Sequence, residues 1–100
     1  MDTLLTAGTD GALVALYDPA ALAGEDPYEA AESGLMLLWA TAADGHVRIR
    51  LLVDEPVPAD LRARARHARA GLLLRLPSGK LVATDAAELD GAADIQAVLA

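Results

Sequence analysis

Cysteine, phenylalanine and asparagine are all missing from this 100-residue chain, and lysine occurs once, at Lys80. Without a thiol there is no disulfide, no cysteine nucleophile and no thiolate metal site, a composition that suits a reducing cytoplasm. With aromatics at only 3%, the expected core is aliphatic with Trp39 as its large anchor. Serine stands only at Ser33 and Ser78, and Ser78 falls in a Pro-Ser-Gly turn that needs it for geometry rather than for nucleophilic attack. The glycines never form Gly-x-Gly-x-x-Gly, and Gly79-Lys80 runs into Leu81 instead of completing a phosphate loop, so nucleotide binding has no motif. The first residues lack the basic and apolar stretches of a signal peptide. The longest apolar runs, 34–43 and 71–74, fall short of the ~20 residues that span a bilayer. No membrane partner is expected. The Ala, Leu, Arg and Asp bias is that of a high-GC, bacterial genome, which weakens any argument from arginine over lysine.

What is present is apolar residue in quantity and charge in blocks. Hydrophobic residues make up 54% of the chain, and this length suits one domain spanning 1–100 that buries roughly two-thirds of its unfolded surface. The net charge is -7. Residues 1–44 hold eight acids and no Lys or Arg; residues 45–80 hold all eight basic residues against Asp54, Glu55 and Asp60; residues 81–100 return to four acids. Folding that brings the ends beside the middle neutralises these blocks through surface pairs worth about 0–1 kcal/mol each. The sharper alternative keeps one face acidic and another basic, favouring self-association or an oppositely charged partner.

Turn chemistry divides the chain into three expected β-hairpins. Strands at 3–7 and 12–17 flank Gly8-Thr9-Asp10-Gly11, and strands at 34–42 and 46–53 flank Ala43-Asp44-Gly45. Residues 72–76 and 80–84 flank Pro77-Ser78-Gly79. The strand at 34–42 is apolar on both sides, with Leu35, Leu37 and Trp39 opposite Met36, Leu38 and Ala40, and reads as a central strand covered twice. One helical turn is expected at 20–23 and a loop or short acidic helix at 25–33. A basic amphipathic helix, capped by Asp60 and ended by Gly71, is expected through Ala70, and a helical tail over 94–99. The fold class is mainly β, with α+β as the variant: a small antiparallel β-sandwich or layered sheet with one or two short helices.

The chemistry-bearing residues do not converge on a reaction. His46 and His67, with Lys80, are candidates for acid, base and charge stabiliser in phosphodiester cleavage, but no spacing rule links them. Neither a helical His-x-x-x-His pair nor a cysteine partner supports a metal, and no cofactor is expected. Arg48, Arg50, Arg62, Arg66 and Arg69 suit an anion or nucleic acid, but the domain as a whole repels phosphate and lacks stacking aromatics. The favoured expectation is a non-catalytic protein–protein interaction module, such as a small inhibitor, immunity or accessory protein. It would bind a protein partner or itself through Arg62, Arg66 and Arg69 or through Tyr28 in the acidic segment. A small enzyme using His46 and His67, and anion or nucleic-acid binding through the arginine-rich middle, are the alternatives.

Overall fold

The computed structural model describes residues 1–10, 13–21, 26–40, 44–65, 68–86 and 95–99, and its strands coincide with the stretches of apolar or alternating sequence. Six strands result: β1 (Asp2–Asp10), β2 (Leu13–Tyr17), β3 (Met36–Ala40), β4 (Asp44–Leu52), β5 (Lys80–Asp85) and β6 (Ala97–Val98). Two short helices, α1 (Pro27–Glu32) and α2 (Ala59–Arg64), and a 3₁₀ turn at Pro19–Ala21 complete the described elements. No helix among the described residues is long and apolar enough to cross a membrane. The protein is mainly β, with two antiparallel sheets, in agreement with the sequence reading.

The strand partners differ from the expected hairpins. β1 pairs with β4 in a two-stranded ribbon, from Asp2 opposite Leu52 to Asp10 opposite Asp44. The second sheet runs β3-β2-β5-β6. The glycine-rich turns therefore carry the chain from one sheet to the other instead of folding it back on its neighbour. Turn chemistry specifies a reversal, but the next strand's partner is chosen by which apolar face it must bury.

Alternation then builds three layers. Leu5 and Ala7 of β1 and Val47, Ile49 and Leu51 of β4 face inward from the ribbon onto Val14, Leu16, Leu81 and Ala83 of the larger sheet. The opposite face of that sheet presents Ala15, Tyr17, Met36 and Val82 to Ala30 of α1. The doubly covered strands are thus β2 and β5, and the strand at 34–42 is an edge strand, β3, half-buried over most of its length. Trp39 packs against the first cluster without being fully buried, so the largest fully buried side chain is Tyr17. Its hydroxyl accepts a hydrogen bond from Thr84 Oγ1 at 3.3 Å. Where β1 and β5 meet, the Gln96 carboxamide accepts from the Thr6 amide at 2.8 Å and donates to the Ala83 carbonyl at 3.0 Å.

The basic helix expected through Ala70 is shorter than its pattern implies. α2 stops at Arg64, with Ala65 already extended, and none of its residues is buried. A short helix gains most of its stability from packing, and the stripe through Leu61 finds too little core to lie on. Asp60 sits inside its first turn, paired with Arg64 at 3.6 Å, and Pro58 occupies the cap position. Residues 68–76 contain no helix or strand. Of the tail, 94 lies outside the described residues, while Ala97 and Val98 form β6 opposite Leu81 and Lys80. The edge of β5 claims this short apolar segment as a strand, where its β-branched Val98 suits an extended backbone.

Candidate functional site

The edge position of β3 follows from how α1 ends. Asp26 caps α1, accepting from the Tyr28 and Glu29 amides at 2.8 and 3.4 Å, and Pro27 opens the first turn with a preset φ. At the other end Gly34 takes φ +73°, its amide donating to the Ala31 carbonyl and that of Leu35 to the Ala30 carbonyl. This reversal needs glycine, because an added Cβ would also lie 3.3 Å from the Leu73 side chain. The chain leaves it directly into β3.

Beyond β3 the segment 68–75 runs back along the strand without joining its ladder. It is fastened at one end, where the Arg75 amide donates to the Gly34 carbonyl at 2.6 Å. Leu74 and Leu76 are anchored on the first apolar cluster, whereas Leu72 and Leu73 are 60% and 62% exposed. Between this segment and β3 lies a cleft of about 720 Å³, lined by the whole of β3 with Ala31, Ala68, Arg69 and Leu72. A second hollow of about 470 Å³ continues it toward Gly34 and adds Glu32, Leu73 and Arg75. Such volumes fall in the range of ligand-binding clefts. Among the described residues neither Arg69 nor Arg75 has an ion-pair partner.

The four sequence candidates divide at this point. Arg69 lines the cleft. Arg62 is exposed on α2, and Tyr28 is exposed on α1; neither lines the cleft. Arg66 and His67 lie outside the described residues, and with them the expected basic stripe and the two-histidine pair. His46 is exposed on β4 opposite Gly8. Arg50 is engaged, donating to Asp2 at 3.0 and 2.7 Å and holding that carboxyl below its ordinary range. Among the described residues no group of three or more His, Asp or Glu could hold a metal ion.

Two features escaped sequence reasoning. One is the cleft wall, Leu72, Leu73 and Arg75, read as a hairpin strand. The other is Asp18, fully buried, which accepts from the Ala20 amide at 2.9 Å, the Ser78 hydroxyl at 2.7 Å and the Ser78 amide at 2.6 Å. Burial pushes this carboxyl up, but the bonds from Ser78 and from the Ala20 and Lys80 amides outweigh it and hold it below the ordinary value. Asp-Pro signals a local turn in sequence; the bond to a serine sixty residues on carries no sequence signal. Compared with known proteins, the chain matches no family model, no curated protein and no solved structure.

Proposed function

We propose that this chain is a non-catalytic protein-interaction module whose recognition surface is the cleft along β3. It would serve as a small inhibitor, immunity or accessory factor, and its cysteine-free composition suits work in the cytoplasm. The observation that supports this reading is the edge strand itself, with an apolar hollow along it and exposed leucines and arginines on the far wall. An edge strand offers unpaired backbone donors and acceptors that another chain can complete. The cleft also combines a leucine-lined floor with charged rims, the arrangement of a protein contact surface.

The test is affinity capture from a lysate of the source cells, using the wild-type protein and Ala68→Trp. Ala68 is exposed, so a large ring there obstructs the cleft without entering the core. A stoichiometric protein held by the wild type and released by the folded A68W variant is the expected result. No stoichiometric partner, or one held equally by both, would overturn the reading.

A further inference from the structure

We infer that the occupant of the cleft is a single extended peptide segment that adds to β3 as a fifth strand of its sheet and carries at least one carboxylate for Arg69 or Arg75. This inference rests on the reading of the cleft as a protein-binding surface. Three observations carry it.

Among the described residues β3 pairs only with β2, so alternate residues along its other side direct their amides and carbonyls toward the cleft. Among the described residues, the Arg75–Gly34 bond is the sole backbone bond that the facing segment makes to this edge, and it lies just before β3 begins. An extended chain satisfies the remainder, and its alternate side chains meet Trp39 and Leu37 on one side and Leu38 and Met36 on the other.

The far wall limits what enters. Segment 68–75 forms a wall across the cleft from β3, so an entering chain lies between the two. A second copy's β3 sits within its own sheet behind the same wall, so pairing two copies edge to edge would require both walls to move. A lone peptide requires neither, and it covers Leu72 and Leu73, which are otherwise exposed.

Charge selects the peptide. The wall offers Arg69 facing β3 and Arg75 beside Gly34, while among the described residues Glu32 on the α1 side is the only acid lining either hollow. Guanidinium groups at a cleft rim favour carboxylates by geometry and by charge, against the acidic balance of the rest of the domain.

The experiment is selection from a phage-displayed library of random peptides against the wild-type protein, with Arg48→Glu as a control that reverses a charge on the outer face of β4, away from the cleft. Selected peptides should alternate apolar residues with Asp or Glu and change the emission of Trp39, the chain's single tryptophan, which lines the cleft. They should bind the Arg69→Glu, Arg75→Glu double variant about tenfold more weakly or worse, bind the Arg48→Glu control unchanged, and weaken as salt is added. Enrichment without acids, or binding that the double variant retains, would overturn the inference. If a cellular partner is lost in A68W but no linear peptide is enriched, the interaction reading stands and this inference falls. A two-chain mass in light scattering that A68W abolishes would likewise assign the cleft to a second copy and overturn it.

Discussion

β2 and β3 lie side by side in one sheet, are equally apolar and equally long, yet live in different surroundings. β2 has a strand on each side and a layer on each face, so Val14, Ala15, Leu16 and Tyr17 are all buried. Among the described residues β3 has one neighbour, and every residue after Met36 stays partly open to solvent. An unbroken apolar run thus reports that a strand's faces are covered. It is silent on whether its edges are, because edge groups belong to the backbone and are the same for every sequence.

The sharpest way to break this comparison is to remove the same atoms from both strands. Leu16→Ala opens a cavity between ribbon and sheet and should cost about 3 kcal/mol in urea unfolding, whereas Leu38→Ala, already half-exposed, should cost about 1 kcal/mol. Equal losses would mean that β3 is as enclosed as β2.

Next in size is the buried Asp18. Asp18→Asn turns an acceptor facing the Ser78 amide into a donor and should lower stability by about 2 kcal/mol. Because the folded carboxyl lies below its ordinary value of 3.8, its contribution is present above the unfolded pKa and is lost as pH falls through the folded one. The wild type should therefore lose stability below about pH 4, and the Asn variant should lose less over the same range. Identical acid limbs in the two titrations would remove Asp18 as the cause. The smallest effect belongs to the cleft: Ala68→Trp and Arg69→Glu should shift the thermal midpoint by no more than ordinary surface substitutions do while altering binding.

The sequence made the β-rich, layered character legible through alternation in β4, the apolar runs of β2 and β3 and the glycine-bearing turns. The short acidic helix weighed against a loop at 25–33 is α1. Pairing was not legible, because Asp44-Gly45 signals a reversal equally well whether the strands on either side join each other or different sheets. Among the described residues, Arg69 is the candidate that reaches the cleft. It does so as part of an extended wall and not of a helix, since residues beyond Arg64 have no core to hold a helical face. Leu72 and Leu73 looked like strand residues and remain strand-like in composition. What the sequence could not reveal is that their would-be neighbour, β3, is kept at a distance by a chain tied down only at Gly34 and at Leu74.

The route of the chain between sheets also governs how fast the molecule assembles. Asp2 must find Leu52, so β1 cannot be secured until half of the polypeptide has been collected, and β2, which can meet β3 sooner, gains its second neighbour only from residues 82–85. A helical bundle of this length closes through local contacts; this fold must also close long loops. Refolding is accordingly expected on the millisecond-to-second scale of other topologies dominated by distant pairings. During that interval the apolar face of β1 and the apolar run of β2, each still short of a partner, are the segments that a nascent chain most needs to keep from its neighbours.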